Sequence, residues 1–157
     1  MTRGLRRRPA RVLVDSGFII ALYSSLDPKH ERALEVFEEL HRSACSWYIP
    51  WPTLYESIKR RVTYPTSTAQ LKRDWETLER AGRLERLDDT KWREEALQTV
   101  LASRSVPVRN ARAISLVDEV LRAVIRDELV GIGRVVTNDR DDLVAVCMAC
   151  GVDLIVI

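Results

Sequence analysis

Four acidic residues stand where a soluble chain seldom puts them. Asp15 ends the apolar run Val12-Leu13-Val14, and Asp139 follows a second such run, Val135-Val136-Thr137. Asp118 falls among the apolar positions of a helix, and Glu56 follows a third short strand at the start of another helix. At an effective dielectric near 20, two unit charges about 5 Å apart repel by about 3 kcal/mol. Four mutually close carboxylates make six pairs, so their repulsion would reach roughly 20 kcal/mol. That exceeds the whole stability of an ordinary domain, about 5–15 kcal/mol. A fold that gathers these groups must protonate them or hold a divalent cation, which is the chemistry of a metal-dependent phosphate-ester hydrolase.

Each acid also has a simpler reading. Asp15 and Asp139 could cap the helices that follow them, because Asp is among the best N-cap residues. Asp141 and Asp142 suit the positive end of the same helix as Asp139, and neither is assigned a metal. Asp118 is harder to set aside, since Ile114, Leu121 and Ile125 place it on their inward stripe. A buried carboxylate costs several kcal/mol unless satisfied, so its alternative is an ion pair with a nearby arginine. Glu119 points away from that stripe and reads as solvated surface. Glu56 shares no face with Leu54 and Ile58, and Arg60 offers it an ordinary i,i+4 pair; periodicity alone puts it on the surface.

The elements that must position these residues alternate between strand and helix. Arg11–Asp15 reads as a buried strand, Ser16–Ser25 as a helix, and Asp27-Pro28 as the start of a helix to about Arg42, with Ala33, Leu34, Phe37 and Leu40 inward. Ser46–Ile49 is a short strand, and Pro50 and Pro52 lead into a helix carrying Leu54, Ile58 and Val62. A helix over Ser67–Ala81, a weaker strand over Leu84–Leu87, a helix over Lys91–Leu101 and an irregular loop to Arg112 follow. A helix from about Ala113 to Leu129 precedes strand Arg134–Thr137, helix Asp141–Cys150 and strand Asp153–Ile157. Glycines just past the helices and near-continuous Val/Ile strands mark βα units around a parallel sheet. The predicted fold class is therefore α/β, a three-layer α/β/α arrangement with a central, mostly parallel sheet. Ligands of such sheets bind outside the carboxyl ends of the strands, where Asp15 and Asp139 fall.

Composition narrows the class without naming a function. The 157 residues suit one domain, expected over 11–157, preceded by a flexible basic arm at 1–10. The net charge of +2 is too small to argue for a nucleic-acid partner, but five arginines fall within the first eleven positions. The longest apolar stretch, Gly17 to Tyr23, is far short of the about 20 residues that span a bilayer. No signal peptide is visible, and three cysteines cannot all pair, so a cytoplasmic protein is expected. Cys147-Met148-Ala149-Cys150 sits late in a helix and reads as buried core cysteines rather than a redox motif.

Four segments then carry a resemblance. Val-Asp-Ser-Gly-Phe-Ile-Ile-Ala-Leu from Val14, Ile-Pro-Trp-Pro-Thr-Leu-Tyr-Glu from Ile49, Ser-Leu-Val-Asp from Ser115 and Thr-Asn-Asp-Arg-Asp from Thr137 resemble the PIN domain, in order and over nearly the whole chain. The likeness is greatest to the small VapC-type ribonucleases of toxin–antitoxin pairs. It implies that Asp15, Glu56, Asp118 and Asp139 form a catalytic, metal-holding site, with Ser16, Ser115 and Thr137 as supporting hydroxyls. It further implies Mg²⁺ or Mn²⁺ as cofactor, an RNA substrate, a homodimer, and an antitoxin whose tail lies over the acidic groove. Leu143 departs from the pattern, since many relatives carry an aromatic residue after the last acid.

Carboxylate and water oxygens are the preferred ligands of Mg²⁺ and Mn²⁺, and one or two such ions would orient a water toward a phosphodiester. Arg104, Arg109 and Arg112, before the Asp118 helix, could meet backbone phosphates or remain solvated loop charges. The rival reading is a catalytically silent PIN fold serving as a binding or assembly module. A phosphotransfer site is disfavoured, because Gly17 stands where a second Asp would be needed. If the arm grips RNA, each arginine–phosphate contact adds roughly 0.7 to the log–log salt slope for a single strand. Removing residues 1–10 is then expected to flatten that slope by up to about 3 without abolishing cleavage. RNA binding across a salt series checks this, and superimposable slopes would reduce the arm to a tail.

Overall fold

The computed structural model describes residues 10–59, 62, 64–104 and 114–157, without the side chains of Pro65 and Arg104. The basic arm ahead of Ala10, the loop reaching Arg112, and the side chains of Arg104, Arg109 and Arg112 lie outside the described residues. Five strands form one sheet: β1 (Arg11–Val14), β2 (Ser46–Pro50), β3 (Leu84–Leu87), β4 (Arg134–Thr137) and β5 (Asp153–Val156). Their order is β3-β2-β1-β4-β5, and every neighbouring pair is parallel. The chain thus winds outward from β1 to β3, then returns to the other side of β1 to place β4 and β5. The crevice between the carboxyl ends of β1 and β4 is the topological switch point, where open parallel sheets take their ligands.

The sheet is central because the strands are apolar on both faces. Val12 and Val14 enter one core cluster with Phe18, Val36, Trp47, Leu54 and Leu78. Leu13 and Val135 enter the other with Trp92, Leu121, Val124 and Leu143. Helices α1 (Ser16–Tyr23), α2 (His30–Arg42), α3 (Trp51–Ser57) and α4 (Pro65–Arg80) supply the first core. Helices α5 (Thr90–Arg104), α6 (Leu116–Arg126) and α7 (Arg140–Cys150) supply the second. Among the described residues no helix is long and apolar enough to cross a membrane.

Several local expectations are corrected. Asp27 does not cap α2; its carboxylate accepts from Lys29 N at 2.9 Å in a turn, and the helix starts three residues later. On α2 the buried residues are Ala33, Val36 and Leu40, while Leu34 faces out. Helix α3 stops at Ser57, so Ile58 is exposed and Val62 is buried from a turn rather than a helix. Cys150 is exposed rather than core, while Cys45 and Cys147 are buried; all three are free thiols.

Glu119 is the largest departure. It is buried, 5% exposed, and meets Arg122 at 3.5 Å and Arg126 at 3.2 Å. The surface reading used Ile114 to set the stripe, but Ile114 precedes α6, and the buried face runs through Val120, Leu121, Val124 and Ile125. Arg122 also donates from Nε and Nη2 to the Asp142 carbonyl, at 2.8 and 2.6 Å, tying α6 to α7. Breaking a fully buried pair costs about 3–5 kcal/mol; here Arg126 is largely exposed, so Glu119→Ala is expected to cost about 1–3 kcal/mol. Urea denaturation reads this directly, and an unchanged midpoint would return Glu119 to the solvated surface.

Candidate active site

The switch point is closed by one side chain from each adjoining strand end. Asp15 follows β1 in extended conformation and is the N-cap of α1, its Oδ1 accepting from Ser16 N at 2.6 Å. Its other oxygen, Oδ2, accepts from Thr137 Oγ1, the last residue of β4, at 2.6 Å. Thr137 Oγ1 in turn accepts from Asp139 N at 2.9 Å, so one hydroxyl fixes the Asp15 carboxylate and the backbone that carries Asp139. Asp139 caps α7, and its Oδ1 accepts from Asp141 N at 3.1 Å. The capping readings of both residues therefore hold, and capping is what aims the two carboxyl groups.

Glu56 reaches the same place from α3. Ser16 Oγ lies 2.9 Å from Glu56 Oε2 and 3.3 Å from Asp15 Oδ1, and donates its single proton to the nearer oxygen. Asp118 is the third residue of α6 and closes a capping box with Ser115. Ser115 Oγ donates to Asp118 Oδ2 at 2.6 Å and accepts from Asp118 N at 3.1 Å. Asp118 is half-buried, and among the described residues no lysine or arginine pairs with it, so the ion-pair alternative finds no partner there.

Electrostatics show which acids share a neighbourhood. Burial pushes the Asp15 carboxyl up, and the charges of Asp118 and Glu56 push it further; the Thr137 and Ser16 hydrogen bonds pull it back, leaving it near about 6 against an ordinary 3.8. Asp15, Glu56 and Asp118 thus occupy one field, while Asp139 is joined to it through Thr137. Among the described residues, however, no three His, Cys, Asp or Glu side chains stand close enough to hold an ion by themselves.

Three further features escaped the sequence. Lys29 Nζ donates to the Asn138 carbonyl at 2.8 Å, placing a cation beside the β4–α7 turn. An added Cβ on Gly17 would fall 2.2 Å from Asn138 Cγ, so the missing side chain lets Asn138 lie against the first turn of α1. Trp51 and Tyr55 form an exposed aromatic pair on α3, ring centroids 6.0 Å apart. Only the last has a signal in the sequence, the i,i+4 spacing of two aromatic residues.

The raised Asp15 carboxyl makes a stability prediction for metal-free protein. In the unfolded chain it titrates near its ordinary 3.8, and in the folded one near about 6. The penalty for holding it ionised is therefore full above pH 6, fades as pH falls through that value, and is gone below 3.8. The gap corresponds to about 3 kcal/mol. Asp15→Asn removes the charge at the loss of about 1 kcal/mol of hydrogen bonding. The variant is expected to be about 2 kcal/mol more stable than the parent at pH 8 in chelator and no more stable at pH 4. Urea melts at both pH values check it; destabilisation at pH 8 would show the carboxylate to be structural.

No family model matches the sequence, and no curated protein matches it either. Among solved structures the chain is similar to Mycobacterium tuberculosis VapC20, described as a sarcin–ricin loop cleaving toxin. The TM-score is 0.62 at 20% identity, over 85% of this chain and 94% of that one. At that identity the likeness speaks for the fold: five parallel strands between two helical layers, in the PIN-like arrangement of a VapC protein.

Proposed function

We propose that this protein is a PIN-domain ribonuclease of the VapC type, hydrolysing RNA phosphodiester bonds with the help of Mg²⁺ or Mn²⁺. The observation that carries the reading is the meeting of Asp15, Glu56 and Asp118 at the carboxyl end of β1, with no cation among the described residues to neutralise Asp15. Carboxylate oxygens are hard donors, and three negative charges in one field suit a divalent cation. Mg²⁺ keeps several waters and takes one or two carboxylates directly. Asp15 and Asp118 are the expected direct ligands, with Glu56 and Asp139 acting directly or through water.

When bound, the ion supplies charge neutralisation for the phosphodiester and orientation of the attacking water. The remaining work falls to the chain. Thr137 and Ser16 fix the two oxygens of Asp15, and Ser115 fixes Asp118, so the acids are aimed before substrate arrives. No nucleophilic side chain is required. The toxin role, the antitoxin partner and the homodimer belong to the same proposal and rest on the resemblance; the cytoplasmic location is proposed from the cysteine usage. An antitoxin tail offering an arginine to Asp15 and Glu56 would supply a cation that the described residues do not place on Asp15. A catalytically silent PIN-fold binding module is the second reading.

Labelled single-stranded and structured RNAs are expected to be cleaved by the purified protein in Mg²⁺ or Mn²⁺, and left intact in EDTA. Asp118→Asn is expected to slow cleavage by about a hundredfold or more, a loss of a few kcal/mol of transition-state stabilisation, with a circular-dichroism spectrum like the parent's. Induced expression in bacterial cells is expected to arrest growth only for the parent. Cleavage that persists in excess chelator would overturn the metal mechanism, and no cleavage under any condition would leave the silent module.

A further inference from the structure

A cavity of about 570 Å³ opens between α3, the turn that leads from β3 into α5, and the start of α6. It shares two of these elements with the acidic site: Tyr55 is the chain neighbour of Glu56, and Leu116 lies two residues before Asp118. One wall is aromatic and apolar, made by Trp51, Tyr55 and Leu116; the other is polar, made by Asp88, Asp89 and Arg93. Its size falls within the range of about 300–1,000 Å³ typical of small-ligand sites.

The aromatic wall is left bare. Tyr55 is 72% exposed and Trp51 40% exposed, and both rings, inclined at 34° to each other, line the opening. Neither residue closes the core from that position, since the inward residues of α3 are Thr53, Leu54 and Ser57. The polar wall is prearranged. Arg93 Nη2 holds Thr90 Oγ1 at 2.9 Å, Asp89 Oδ1 at 3.1 Å and Asp88 Oδ1 at 3.4 Å. Thr90 adds two more bonds to Asp88 Oδ1, from its amide at 2.9 Å and its hydroxyl at 2.5 Å. The bonds to the two carboxylates all fall on Oδ1, so among the described residues the Oδ2 atoms of Asp88 and Asp89 keep their lone pairs for another donor.

An aromatic face beside open carboxylate oxygens matches a particular ligand chemistry. With two carboxylates against one guanidinium, already engaged by both, the wall is net negative and disfavours a phosphate, and an aliphatic side chain would leave it unpaired. A planar heterocycle with N–H donors on its edge satisfies both walls, by stacking and by hydrogen bonding. We propose that this cavity is a nucleobase pocket, in which one unpaired base of the RNA strand stacks on Tyr55 and Trp51 and turns an amino-bearing edge to Asp88 and Asp89. The pocket rests on the reading of the protein as an RNA-cleaving enzyme. Its position on the elements that carry Glu56 and Asp118 means that it would hold a base close to the phosphodiester being cut, and so set which nucleotide is accepted there.

Cytosine and uracil separate the two walls, because they stack alike and differ where an amino group replaces a carbonyl. Two labelled RNA oligomers about eight nucleotides long, all-cytidine and all-uridine, are titrated with the full protein in EDTA, so that binding is read without cleavage. The parent is expected to bind the cytidine oligomer several-fold more tightly. Tyr55→Ala is expected to weaken both oligomers by roughly tenfold or more, the range for loss of one base stack, whereas Tyr55→Phe retains binding. Asp88→Asn keeps an oxygen for Thr90 but presents an amide N–H₂ to the pocket, and is expected to shift preference toward uridine. Equal binding of the two oligomers by the parent, no binding of either, or parent-like binding by Tyr55→Ala would each overturn the pocket. Wild-type RNA affinity in Tyr55→Ala would give the aromatic face to a protein partner instead. Cleavage in Mg²⁺ is scored separately: a Tyr55→Ala protein that binds and cuts as the parent does loses only the pocket, and a parent that binds as described but cuts nothing loses only the nuclease reading.

Discussion

The hydrogen bond from Thr137 to Asp15 is the contact on which the site depends. It joins the ends of two strands that are adjacent in space and far apart in sequence, at the one place where the sheet's winding reverses. A carboxylate there is buried by construction, because β1 is the central strand and carries helices on both faces. Burial alone would drive it to take up a proton. The Thr137 and Ser16 donors hold it partway, and the amide dipoles at the start of α1 favour the anion. Asp118 and Asp139 sit in the same kind of position, at the starts of α6 and α7. Three helix N-termini thus lean on the negative charge that the side chains concentrate.

Two buried acids in this chain are treated in opposite ways. Glu119 is flanked by Arg122 and Arg126, and its charge is cancelled inside the fold. Among the described residues, Asp15 has neutral donors and two more acids for neighbours. The residues available do not force the difference, since arginine is plentiful here. Like charges held together in a buried place cost stability, and among the described residues that contrast marks the acidic site better than burial does.

Much of this was legible in the strands. The runs Val12–Val14 and Val135–Thr137 are short, apolar and β-branched, and in a parallel sheet their carboxyl ends must lie together on one edge. That put Asp15 and Asp139 at a ligand-binding rim from sequence alone. Helix faces were less legible. Asp118 shares the stripe of Leu121 and Ile125, but its orientation comes from a capping box with Ser115, which forms because α6 begins after Ile114. The buried face of α6 is wider than that stripe and takes in Glu119 as well. Glu56 was beyond periodicity altogether: seven residues make too little helix to define a face, and the contact with Ser16 spans 40 positions. There only the motif resemblance carried the assignment. The Trp51–Tyr55 pair has only its i,i+4 spacing to show for it in the sequence, and α3 is too short for that spacing to define a face.

The winding of the sheet also fixes an order of events in time. Thr137 lies 122 positions beyond Asp15, and a ribosome adding about 5–20 residues per second needs roughly 6–25 s to cover that distance. Through that interval β1 has no β4 beside it, and Asp15 has no hydroxyl across the crevice. The central strand of the sheet is made first, yet its acid reaches its final surroundings only when the fourth strand emerges. Whatever chemistry this crevice performs is absent from the growing chain until Thr137 has been made.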